Sequence, residues 1–72
     1  MTYCAIIEYE LFGHSYFDNL YVGNQLSLAI KSIEEFAPCP YYNIENTSIQ
    51  VWENGIYIKS FNGYGKNYDW EQ

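Results

Sequence analysis

The chain has 72 residues, a 49% hydrophobic fraction, nine acidic residues, three lysines (Lys31, Lys59, Lys66) and no arginine, for a net charge of −6. That length allows one core and no second domain, and that apolar content excludes a disordered chain despite the charge. No run of about 18 apolar residues is present to cross a bilayer as a helix, and without arginine the chain has no bidentate grip on phosphate.

Met1 to Glu8 has no basic region and meets Glu8 too early for a secretory leader. The chain therefore reads as a whole cytosolic protein and a single domain over 1–72. Thr2–Phe12 alternates as a strand, with Tyr3, Ala5, Ile7, Tyr9 and Leu11 on one face and Cys4, Ile6, Glu8, Glu10 and Phe12 on the other. Gly13-His14-Ser15 breaks the run as a turn, and Phe17–Val22 returns as a second, shorter strand.

Asn24 is the expected N-cap of a helix over Asn24–Ala37. Leu26, Ala29, Ile30, Ile33, Phe36 and Ala37 follow the i, i+3, i+4, i+7 spacing of one buried stripe. Pro38 stops the helix, because a residue before proline avoids the α region. Pro38–Asn46 reads as a loop.

Thr47–Phe61 is a hairpin about Asn54-Gly55, since a two-residue type I′ turn needs positive φ at both positions. That loop pairs Glu53 with Ile56, Trp52 with Tyr57, Val51 with Ile58 and Gln50 with Lys59. Ile49, Val51, Ile56 and Ile58 then share one face, and Gln50, Trp52, Tyr57, Lys59 and Phe61 the other. Residues 62–72 have loop chemistry with three aromatics and read as a tail that either docks on the sheet or stays mobile.

The simplest assembly is β-β-α-β-β, an α+β fold in which four antiparallel strands form one sheet and the amphipathic helix covers one face. Its core comprises Ala5, Ile7, Tyr9, Leu11, Leu26, Ala29, Ile30, Ile33, Phe36, Ile49, Val51, Ile56 and Ile58.

Nothing points to catalysis. His14-Ser15 has no motif around it, GxSxG, HExxH and CxxC are absent, and Gly63-Tyr64-Gly65 lacks the context of a phosphate loop. Cys4, Cys39 and the lone His14 do not have metal-ligand spacing, so no metal and no cofactor are expected. The two cysteines read as reduced thiols, with an inter-strand or intermolecular bridge as the alternative.

The aromatic content, two Trp, nine Tyr and four Phe, suits a protein-binding surface, because tyrosine gives a rigid apolar ring with a polar tip. Trp52 and Tyr57, opposed across the hairpin, would form a contact patch with Phe61. The simpler account is that such a pair only stabilises the sheet, by roughly 0.2–1 kcal/mol. Glu8 and Glu10, two apart on one strand, place their carboxylates about 6.8 Å apart, which matches the rise of two phosphates along a DNA strand. Glu34, Glu35, Asp69 and Glu71 extend that acidic set. The alternative is an ordinary solvated strand face. Stacking of single-stranded bases on Trp52, Tyr57 and Phe61 is chemically sound, but the net charge opposes it, so no direct nucleic-acid binding is expected.

With its helix Asn24–Ala37, its Glu53-Asn54-Gly55-Ile56 hairpin and its acids Glu8, Glu10, Glu34 and Glu35, the chain resembles the small phage-type anti-defence proteins, anti-CRISPR proteins above all. The resemblance is one of overall character across the whole chain and carries no shared motif. It implies an inhibitor that occludes a nucleic-acid site on a basic effector protein or ribonucleoprotein complex. An antitoxin or immunity protein against a basic toxin is the related alternative. A homodimer that pairs exposed sheet faces or edges is the competing one.

Overall fold

Thr2–Leu11 (β1) and His14–Gly23 (β2) form an antiparallel hairpin in the computed structural model, which describes residues 1–36, 42–64 and 67–68. The turn is Phe12-Gly13, one residue earlier than expected, and β2 begins at His14 rather than Phe17. Both turn residues have positive φ, 52° and 80°, the geometry whose twist matches its flanking strands. His14 and Ser15, expected in the turn, instead pair with Leu11 and Glu10.

Leu26–Glu34 (α1) is shorter than the expected Asn24–Ala37. Gln25, not Asn24, is the N-cap; it is extended and makes no side-chain cap bond. Its backbone N–H donates to the Tyr21 hydroxyl at 3.2 Å. Gly23 makes that contact possible, because a Cβ there would collide with the Tyr21 ring. At the other end the Phe36 N–H donates to the Ile33 carbonyl at 3.2 Å, a tighter closing turn. The Phe36 ring then leaves the helix axis and meets the rings of Tyr9 and Tyr42, at centroid distances of 5.1 and 5.8 Å. Ala37, Pro38 and Cys39, on which the expected stop and the thiol pairing rest, lie outside the described residues; Cys4 is a free, half-buried thiol.

Tyr42–Glu53 (β3) and Ile56–Tyr64 (β4) make the second hairpin, and Asn67–Tyr68 (β5) adds a short strand outside β4. The expected loop thus ends earlier, since Tyr42–Asn46 is strand. The expected tail is partly sheet, while Asp69–Gln72 lie outside the described residues. The order is β2-β1-β3-β4-β5, with every neighbouring pair antiparallel. This is the α+β fold of one antiparallel sheet and one helix, with α1 lying over β1, β2 and β3.

Each long strand pair carries one irregularity. Leu20 is the extra residue between the pairs Ala5–Tyr21 and Ile6–Asn19. Glu45 is extra between Glu8–Asn46 and Tyr9–Ile44. Ile58 is extra between Val51–Lys59 and Trp52–Tyr57. A bulge shifts every later residue by one and so exchanges the faces of the strand. The expected pairings Val51–Ile58 and Gln50–Lys59 are therefore corrected to Val51–Lys59 and Gln50–Ser60.

The same bulge corrects the core. Phe61, expected on the face away from the helix, lies opposite Ile49 and is only 6% exposed, whereas Ile58, expected inside, is the extra residue and is 48% exposed. Ile56, also expected inside, keeps its expected partner Glu53 but sits beside the turn and is 65% exposed. Lys59 follows Phe61 to the helix side, with its ammonium 4.9 Å from that ring's centroid. Ala5, Ile7, Ala29, Ile33, Ile49 and Val51 are buried as expected. Tyr3, Leu20, Tyr21, Leu26 and Ile30 close round the core from its margin. Tyr9, Leu11 and Phe36 are half-buried rather than central.

Candidate functional site: the uncovered face of the sheet

Helix α1 covers one face of the sheet, and the register assigns side chains to the other. From β1 it carries Thr2, Cys4, Ile6, Glu8 and Glu10. Their partners place Ser15, Phe17, Asn19 and Val22 of β2 beside them on one side and Asn43, Asn46, Ser48, Gln50 and Trp52 of β3 on the other. Tyr57, Ser60 and Asn62 continue the face on β4. It is a surface of amides, hydroxyls and carboxylates with aromatic and a few aliphatic residues among them.

The acids gather at the end next to the Phe12-Gly13 turn. Glu8 accepts a bond from the Asn46 side-chain amide at 2.8 Å. Glu45, lifted out of the β3 register by the bulge, reaches across β1 and accepts from the Ser15 hydroxyl at 3.2 Å. Ser15 is itself the cross-strand partner of Glu10. Three carboxylates thus occupy neighbouring positions, where the sequence suggested two. Among the described residues no group of three or more His, Cys, Asp and Glu side chains is arranged to hold a metal ion. His14 is exposed beside the turn.

The aromatic pair sits at the other end. Trp52 and Tyr57 meet edge to face, with centroids 5.6 Å apart and planes at 73°. The Trp52 indole N–H donates to Gln50 at 3.1 Å, and the Tyr57 hydroxyl donates to Ser60 at 3.0 Å. Both polar tips are therefore satisfied within the sheet. Trp52 is level with Thr2, so about 27 Å of strand separates it from Glu10.

The other expected site residues do not join this face. Glu34 and Glu35 lie at the end of α1, on the opposite side of the sheet, where Glu35 makes an exposed 3.8 Å ion pair with Lys31. Phe61 is core. Asp69 and Glu71 lie outside the described residues. Both described lysines are on the helix side, Lys31 on α1 and Lys59 over Phe61.

Three residues escaped the sequence reading. Glu45 reaches the face only through a bulge, which leaves no local signal. Phe17, 69% exposed, is visible once β2 starts at His14, because it then falls opposite Glu8. Phe12, 77% exposed, sits in a turn that its own side chain disfavours. Among the described residues no helix is long and apolar enough to cross a membrane. Compared with known protein families, curated proteins and solved structures, the chain matches none of them.

Proposed function

We propose that this protein is an acidic inhibitor that lays the uncovered face of its sheet on a basic, nucleic-acid-handling protein of the cytosol and keeps nucleic acid off it, as the anti-defence proteins it resembles do. One observation carries the reading: Glu8, Glu10 and Glu45 share that face, while both described lysines are on the other side of the sheet. A single-sign face steers a basic partner and repels nucleic acid itself. With both described lysines on the other side, no described cation offsets the three carboxylates of this face. The exposed aromatics supply contact area that loses little conformational entropy on binding.

The test is capture from a bacterial lysate on the immobilised protein, followed by a nucleic-acid-binding assay of whatever is captured. The expected partner is basic, loses its nucleic acid when this protein is added, and binds Glu8→Lys/Glu10→Lys more slowly at low salt, with the difference shrinking as salt rises. An acidic partner, or one that holds nucleic acid and this protein together, overturns the reading.

A further inference from the structure

The two edges of the sheet are protected differently. Strand edges present unpaired N–H and C=O groups, and proteins blunt them with lysine, proline, bulges or a covering strand. The β4 edge carries Lys59, a bulge at Ile58 and, on Gly63 and Tyr64, the short strand β5. The β2 edge, ten residues long, has neither lysine nor proline, and its sole charge is Asp18. Its bulge at Leu20 leaves His14–Asn19 regular. Phe17, in the middle of that stretch, is an exposed phenyl ring.

We infer that β2 is an interface for a second copy of this chain, joined antiparallel about a two-fold axis at Phe17. The backbone selects that register. A two-residue turn closes on the pair Leu11–His14, which exchange backbone bonds; alternation then directs the N–H and C=O of Ser15, Phe17 and Asn19 outward. Centring on Phe17 is the register that pairs all three outward residues of each copy between the turn and the bulge. Phe17 meets Phe17, and Ser15 meets Asn19.

The side chains agree with this register. Tyr16 comes opposite Asp18 of the second copy, on the helix side. Asp18 Oδ2 already accepts from the Tyr9 hydroxyl at 3.1 Å, which leaves Oδ1 for the Tyr16 hydroxyl. Centring on Asp18 instead sets two carboxylates face to face, which is destabilising. Centring on Asn19 runs into the Leu20 bulge. The Phe17 register produces one continuous sheet with the two uncovered faces side by side.

A short strand pair buries little surface, so association is weak and concentration-dependent. Two copies of charge −6 repel, so salt strengthens the dimer. That is the opposite of its effect on an acidic–basic complex, so this inference and the proposed inhibitor can fail separately.

The experiment is sedimentation equilibrium of the full chain up to about 1 mM, at low and high salt, with amide hydrogen exchange at both ends of the concentration range. The expected result is a monomer–dimer equilibrium that tightens with salt. Concentration-dependent protection should appear at Ser15, Phe17 and Asn19, whose amides face outward, and not at Tyr16 and Asp18. Phe17→Lys, at an exposed site, should keep its circular dichroism and weaken the dimer about tenfold or more, while Ile56→Lys, at the far turn, should leave it unchanged. A monomer under every condition overturns the inference. So does a dimer that protects none of these amides or is indifferent to Phe17→Lys.

Discussion

The two hairpins of this chain close on the same backbone with unequal side chains. Phe12 and Asn54 both sit at φ 52°, followed by glycines at 80° and 77°. Asparagine tolerates the left-handed region; for a residue like phenylalanine it costs roughly 1–2 kcal/mol. The Phe12 ring is exposed, so nothing at the turn itself offsets that strain. The support comes from further along the hairpin. β1 is paired on both sides, Ala5 and Ile7 are fully buried, and α1 lies across β1 and β2. The second turn stands at an outer corner where Glu53 and Ile56 are exposed, and there the turn residues must favour the geometry themselves. A turn can thus be imposed by the strands it joins, or can help to align them.

If the first turn is imposed by its surroundings, removing the cover over its hairpin should have the largest effect. Ile33 is fully buried between α1 and the sheet, and Ile33→Ala should cost about 2–5 kcal/mol, seen as a fall in the urea midpoint. An unchanged midpoint would mean that the helix does not support the hairpin. Gly23→Ala attacks the same cover from the chain that leads into the helix. Its Cβ drives into the Tyr21 ring, and a loss of about 1–3 kcal/mol is expected, read as a lower thermal midpoint. A variant as stable as the parent would show that the ring moves aside freely.

A smaller effect, in the stabilising direction, is expected at the junction of the hairpins. Thr47 on β3 lies between Ile7 and Gly63 and is buried, and its hydroxyl has no hydrogen-bond partner among the described residues. Thr47→Val should raise stability by about 1–2 kcal/mol in urea titration; a loss would mean that the hydroxyl is satisfied in solution. The turns themselves give the smallest and sharpest test. Phe12→Asn should stabilise by about 1 kcal/mol and Asn54→Phe should destabilise by about as much. The sites are at opposite ends of the sheet, so the double exchange should cancel to within about 0.5 kcal/mol. If Phe12→Asn leaves the thermal midpoint where it was, the first turn is not strained.

These hairpins also mark what the sequence makes visible. Asn54-Gly55 announces its turn and fixes the pairs Trp52–Tyr57 and Glu53–Ile56, both present in the structure. The alternation of β1 places Glu8 and Glu10 on the uncovered face, and the 3.6-residue stripe finds Ala29 and Ile33. The misses trace to a few local events. Phe12-Gly13 is hidden because its first residue argues against the turn. The extra residues Leu20, Glu45 and Ile58 are hidden because a bulge is a property of two strands in register, not of either one alone. The extra residue at Ile58 brings Phe61 into the core and leaves Ile58 itself outside it. Glu45 adds a carboxylate to the acidic end of the face. No period within β3 or β4 distinguishes these outcomes, because each alternates acceptably until its neighbour is known.

The sheet order has a kinetic consequence. Each hairpin joins residues close in sequence, and such units close in about 1–10 μs. The central seam is different: β1 pairs with β3 across the whole of β2 and α1, matching Thr2 to Trp52 and Leu11 to Tyr42. Loop-closure entropy must be met before that seam yields any contact energy. The chain is therefore expected to form two independent ribbons first and to wait, on the order of milliseconds, for the encounter that joins them. In that interval each ribbon has two open edges, and the half carrying Phe17 is the one with the least to keep a neighbour away.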